Sequence, residues 1–199
     1  LWPALSGAKQ VPAKPLIEAD CVHLVDGASG KVLFSQGGGV TRQVASAQKL
    51  VTALLIVEAG DLDKRVTITA QDASCQPTKL PNSVGGTYTR RELLQAMLVL
   101  SANDAARALA RDHSGSEAAF GAKMTALARR LGAASSVFKD SAGFSVAGQY
   151  STAADMVKIL KAAYSKPIIR QANAMKFLPW RQANGKLTQL RNSNRLLHR

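Results

Sequence analysis

Ser46 and Lys49 stand three residues apart at the front of the apolar run in QVASAQKLVTALLIVE, residues 43–58. At that spacing on a helix the two side chains lie on one side of a turn. A serine hydroxyl is a poor nucleophile until a base takes its proton. A lysine becomes that base where burial or a neighbouring cation lowers its pKa, and the positive end of a helix N-terminus pushes the same way. On the pair alone two readings stand: a nucleophile with its base, or a serine cap followed by a lysine whose stem covers apolar surface. A second cluster tips the balance. MLVLSANDAARALA places Ser101 and Asn103 at a break between two apolar runs. There Ser101 can relay a proton between lysine, nucleophile and leaving group, while Asn103 can hold Lys49 and a substrate carbonyl or amide. Asn103 also reads as a residue that opens a helix.

The surrounding elements follow from periodicity and turn chemistry. CVHLVDGASGKVLFSQ predicts a hairpin with strands over 21–25 and 31–35 around a glycine turn. GGGVTRQVA is a loop that delivers the chain to the helix beginning near Ser46, DKRVTIT a short strand, and SCQPTKLPNSVGGT a loop. Thr89 with Glu92 is a capping-box signature for a helix with Leu93, Leu94, Met97, Leu98 and Leu100 on its apolar face. Ser114 with Glu117 predicts the start of a second helix that ends at Gly132, after Arg129 and Arg130. Thr152 with Asp155 predicts a third, ending before Pro167. KFLPWRQANGKLTQLRNSNRLL returns to strand character, with Asn184-Gly185 as a two-residue hairpin turn. Residues 1–19 read as irregular. Strands therefore bracket a helical middle, the pattern of an α/β lobe built from both chain ends and carrying an inserted helical lobe.

Composition excludes several classes. The 199 residues suffice for one substantial domain, and no apolar run reaches the length of a membrane span. The opening LWPALSGAKQVPAKP does not read as a signal peptide, having no charged segment leading into an apolar one; a secreted chain after processing would look the same, so this does not argue for cytoplasm. Cys21 and Cys75 read as two unpaired thiols, with a disulfide the alternative. His23, His113 and His198 are scattered, without zinc spacing. Lys and Arg total 26 against 13 acids, a net charge of +13. Residues 151–199 hold ten bases and one acid, Asp155. Such a surplus attracts polyanions. No recognition helix or aromatic stacking platform accompanies it, which argues against nucleic acid as a partner.

S-A-Q-K followed by S-A-N resembles the first two motifs of the serine penicillin-recognising enzymes, S-x-x-K, S-x-N and K-T-G. Five segments in the right order extend the match. VDGASGKVLFSQ looks like the family's hairpin, ASAQKLVTALLIVE its active-site helix, and LLQAMLVLSANDAARALA its second-motif helices. FKDSAGFSVAGQYSTAADMVKI looks like its G-L-S…S-T-A-x-D segment, and LRNSNRLLHR resembles the strand shortly before K-T-G. Together they resemble the D-alanyl-D-alanine carboxypeptidases and endopeptidases. The short loop TKLPNSVGGTYTRREL leans toward the penicillin-binding protein 7 type of endopeptidase.

The resemblance implies an α/β (α+β) DD-peptidase-like fold in one domain, 1–199. Its sheet lobe would take about 20–42 and 176–199 and its helical lobe about 43–175. It implies Ser46 as nucleophile, Lys49 as general base, Ser101 as proton relay and Asn103 as positioner of Lys49 and substrate. Peptidoglycan peptides are the implied substrate, and β-lactam antibiotics would acylate the same serine. No metal or organic cofactor is implied, and the implied compartment is the periplasm. Two departures stand out. No proline precedes Ala45-Ser46, and neither K-T-G nor K-S-G occurs; GKLTQ at 185–189 has the wrong spacing. In the family that motif supplies a substrate-orienting cation and a strand whose N–H completes the oxyanion hole. Losing one such donor costs on the order of a hundredfold in rate. Three readings follow: a chain that continues beyond Arg199 to that motif, an impaired short form that binds peptidoglycan or a protein partner, or an unrelated function. A class A β-lactamase would need Glu-x-x-Leu-Asn, which is absent.

Overall fold

The computed structural model describes residues 16–199, so most of the irregular opening lies outside the described residues. The axis of the fold is α1 (Lys49–Ala59), which follows a 3₁₀ turn over Ala45–Gln48. Val51 through Ile56 are all buried. A helix apolar around its circumference has to be surrounded. The surrounding helices are α3 (Arg90–Leu100), α4 (Asn103–Ser114), α5 (Glu117–Arg130) and α6 (Ala153–Tyr164). Each leucine or isoleucine buried there, such as Leu54, Ile56, Leu93 and Leu109, contributes about 1.5–3 kcal/mol. The alanines of α4 at 105, 106, 108 and 110 are buried and let its backbone approach its neighbours closely.

The capping predictions for α3 and α6 hold: Thr89 accepts from Glu92 N in a full capping box, and Thr152 accepts from Asp155 N. The predicted cap at Ser114 is corrected. Ser114 ends α4, and Ser116 caps α5 by accepting from Ala119 N. Glu117 does not fold back on the cap because its carboxylate reaches Ser141, accepting from its N–H at 2.7 Å and its hydroxyl at 2.9 Å. Two short helices add to the predicted set: α2 (Ala70–Ala73), capped by Thr69, and α7 (Pro167–Ala174), which Pro167 opens at its first turn.

The strands form three separate antiparallel hairpins among the described residues. The first, β1 (Val22–Val25) with β2 (Val32–Gln36), falls where the alternation placed it. The second pairs β3 (Arg65–Thr67) with β4 (Thr87–Thr89), a strand that takes in the last residue of the expected loop and the Thr89 cap. The third is β5 (Phe177–Arg181) with β6 (Leu187–Arg191), packed on α3 with Trp180 stacked on Tyr88 at 4.4 Å. Among the described residues the first and third hairpins do not pair into one sheet. The connection at Asn184-Gly185 is also longer than predicted. Gln182 N donates to Lys186 O and Gly185 N to Gln182 O, leaving a three-residue loop with Gly185 at φ +83°.

Candidate active site

Three of the four candidate residues, Ser46, Lys49 and Asn103, come together at the start of α1 and the start of α4, and Ser101 stands at the end of α3 without a bond to them. Ser46 sits exposed in the 3₁₀ turn and Lys49 is the first residue of α1, 3% exposed. A 3₁₀ turn has three residues per turn and stacks i over i+3, so Lys49 Nζ lies 2.9 Å from Ser46 Oγ. Asn103 opens α4 immediately after the break that ends α3. Its Oδ1 accepts from Lys49 Nζ at 2.8 Å. Its amide donates to Gln76 O at 3.0 Å, and its backbone N–H to Thr78 O at 2.8 Å. Ser101 is the left-handed residue that terminates α3, at φ +66°. It stands two residues from Asn103, and its hydroxyl makes no hydrogen bond to Ser46, Lys49 or Asn103.

A third partner of Lys49 was not legible from residue types. Ala142 O accepts from Nζ at 2.7 Å. It belongs to the DSAGF turn, 140–144, knotted by the buried Asp140. Asp140 Oδ1 accepts the N–H groups of Ala142, Gly143 and Phe144, and Oδ2 accepts from Gln149 Nε2. Gln48, next to the lysine, donates to Asp140 O at 2.6 Å, and Thr52 donates to Ser141 O at 2.7 Å. Gly143, at φ +95°, presses on the Ala45-Ser46 peptide so closely that a Cβ would fall 2.8 Å from Ser46 N. An aspartate followed by amides two to four residues on, with a glycine among them, was the available signal.

The loop carrying Gln76 and Thr78 is held by Asp104, which is fully buried. Asp104 accepts from Leu80 N at 3.1 Å and from Ser83 Oγ at 2.6 Å. Burial pushes its carboxyl pKa up, against the lowering effect of those bonds. Between this loop and the DSAGF turn lies a cavity of about 390 Å³ lined by Ser74, Cys75, Gln76, Arg107, Phe144 and Ser145. Cys75 and Cys21 are both free thiols. Among the described residues no cluster of three or more His, Cys, Asp or Glu is placed to hold a metal.

Burial lowers the Lys49 pKa to about 8, opposed by the negative charge of Asp140. An ammonium has three N–H bonds, and Ser46, Asn103 and Ala142 supply three acceptors. The neutral amine keeps two donors for Asn103 Oδ1 and Ala142 O and turns its lone pair to Ser46 Oγ–H. That arrangement can activate a serine for acyl transfer, because the proton moves along an existing hydrogen bond.

The helical core carries Ser46 on a buried lysine, with Asn103 across from it. The chain belongs to the D-alanyl-D-alanine carboxypeptidase family, whose model matches residues 8–199. It is 32% identical over 190 residues to a D-alanyl-D-alanine carboxypeptidase of Bacillus subtilis, covering 90% of this chain and 48% of that protein. It is 29% identical over 199 residues to the Escherichia coli D-alanyl-D-alanine endopeptidase, covering 98% and 64%. The chain thus spans about half to just under two thirds of these relatives. The crystal structure of a D-alanyl-D-alanine carboxypeptidase from Mycobacterium tuberculosis superposes with a TM-score of 0.88 at 32% identity, covering 96% of this chain and 72% of that one. The fold is therefore the mixed α/β DD-peptidase fold.

Proposed function

We propose that the protein is a serine DD-peptidase that acts on the D-alanine-terminated or cross-linked peptides of peptidoglycan through an acyl-enzyme. The observation that carries this reading is the Lys49 ammonium, buried and shared among Ser46 Oγ, Asn103 Oδ1 and Ala142 O. Neutral Lys49 takes the Ser46 proton as Oγ attacks the D-alanyl carbonyl carbon. The tetrahedral intermediate collapses, the C–N bond breaks, and the departing amine receives the proton, with Ser101 as relay. Water then attacks the Ser46 ester and restores the hydroxyl. Asn103 holds Lys49 and the substrate amide, and Ser46 N–H supplies one oxyanion donor. The 199 residues contain no Lys-Thr-Gly, so the second donor of the family's site is not among them.

The same serine opens the strained ring of a β-lactam and retains it as an ester. No cofactor enters these steps. The compartment that fits this substrate is the periplasm. No helix among the described residues is long and apolar enough to cross a membrane. The net charge of +13 suits approach to an acidic wall polymer. The one-domain, two-lobe division stays part of this proposal, with hairpins at 20–42 and 176–199 flanking the helical part.

Incubation with a pentapeptide ending in D-Ala-D-Ala and with cross-linked muropeptides tests the reading. Release of D-alanine or cleavage of the cross-link, lost in S46A, is expected. Binding of muropeptide without any product would replace the enzyme by a wall-binding protein.

A further inference from the structure

We propose that Asp140 is a positioning residue for Lys49: its carboxylate ties the DSAGF turn so that the Ala142 carbonyl meets the amine, and it keeps a fixed negative charge beside it. The consequence for catalysis rests on the acyl-transfer reading of Ser46; the geometry does not.

Three consecutive amides converge on one oxygen. Oδ1 of Asp140 accepts from Ala142 N at 2.7 Å, Gly143 N at 2.6 Å and Phe144 N at 3.2 Å. Oδ2 is held by Gln149 Nε2 at 2.6 Å. The backbone of Asp140 is gripped as well, since Gln149 Oε1 accepts its N–H and Gln48 Nε2 donates to its carbonyl. Opening this turn would strand those groups in a buried site, where each unmade bond carries its full desolvation cost. The turn delivers three things to the reaction centre. Ala142 O reaches Lys49 Nζ, Ser141 O is fixed to Thr52 on α1, and Gly143 braces the Ala45-Ser46 peptide. One carboxylate therefore fixes the base and the backbone of the nucleophile together.

Its charge acts on the same amine. Asp140 acts on Lys49 from the turn, while Cys75 in the loop after α2 is a thiol whose pKa burial raises, and Ser46 and Asn103 are neutral. Glu117 on α5 faces the turn from its far side, with Arg107 of α4 beside it at 4.0 Å. Asp140 makes no hydrogen bond to Lys49, so it works through the turn and through its field. Burial alone favours a neutral lysine, which is free to act as a base but binds the proton only weakly. The nearby carboxylate restores part of the proton affinity needed to take the Ser46 proton.

A merely structural knot would work equally well with a neutral acceptor, and that separates the two roles. Lys49 is titrated in the full chain by ¹³C/¹⁵N NMR, alongside the pH profile of Ser46 acylation by a fluorescent penicillin, in wild type, D140N, D140S and D140E. In D140N the Lys49 midpoint moves to the acid side of its wild-type position near 8. Plateau acylation falls about tenfold to a hundredfold, as expected for a displaced partner of the base. D140S, whose hydroxyl accepts from the same amides, gives the same shift and carries the test should D140N fail to fold. D140E keeps the midpoint near wild type and loses plateau rate. An unchanged midpoint in the neutral variants, with Tm lowered as in the remote control D72N, overturns the proposal. The NMR titration needs no turnover. A shifted lysine in a protein whose Ser46 is never acylated would therefore refute the enzymatic reading alone.

Discussion

The carbonyl oxygen of Ala142 lies 2.7 Å from Lys49 Nζ, although the two residues are 93 positions apart in the chain. That bond joins α1 to the DSAGF turn through a backbone carbonyl, a group that no residue type marks. It also completes the set of three acceptors around the ammonium.

Replacing Lys49 by Met removes the base while keeping an unbranched side chain one atom shorter. Acylation of Ser46 is expected to fall by about 10²–10⁴, the usual worth of a general base. Stopped-flow acylation with a chromogenic cephalosporin reads it. A loss under threefold would remove Lys49 from the mechanism.

With a folded pKa of about 8, Lys49 is mostly protonated at neutral pH, so the acylation rate rises through pH 8 to a plateau. The stability linkage has a defined sign. The folded pKa lies below the unfolded value of 10.5, so the unfolded chain binds more protons between the two. This lysine therefore destabilises the fold fully below about pH 8 and ceases to do so above 10.5, a change of about 3 kcal/mol. Denaturant unfolding of wild type and K49M from pH 7 to 11 checks it: the difference between the two moves in favour of wild type as pH rises.

Gly143→Ala places a methyl against the Ala45 carbonyl and Ser46 N at a residue with φ +95°. A destabilisation of about 1–3 kcal/mol is expected from the backbone strain, together with slower acylation from a displaced Ser46. Thermal melts and acylation rates on the same preparation test both parts.

Asp104→Ala leaves Leu80 N–H and the Ser83 hydroxyl without their acceptor. A loss of about 1–3 kcal/mol per stranded group is expected. Faster proteolytic nicking in the loop over residues 74–86 is expected with it. Urea unfolding and limited proteolysis followed by mass spectrometry report the two effects.

What the sequence displayed and what it hid divide along physical lines. Ser46, Lys49 and Asn103 were visible because side chains of those types can carry chemistry and local helix geometry sets the Ser46–Lys49 spacing. Ala142 acts through a carbonyl that every residue possesses, so only the turn geometry imposed by Asp140 and Gly143 distinguishes it. Glu117 shows how a local signal misleads. It completes an S-x-x-E pattern with Ser114, yet its carboxylate binds Ser141, and the adjacent Ser116 takes the cap. Strand alternation found the hairpins at both chain ends. It carries no information on whether distant hairpins pair, and these two do not.

The central claim is that the Ser46 hydroxyl, activated by Lys49, forms an ester with substrate carbonyls. Incubation of the intact chain with benzylpenicillin, followed by peptide mass mapping, tests it most directly. The claim predicts a penicilloyl adduct on Ser46, absent in S46A and forming faster as pH rises through 8. An adduct on another residue, or none at Ser46 under conditions where a control DD-peptidase is fully labelled, would contradict it.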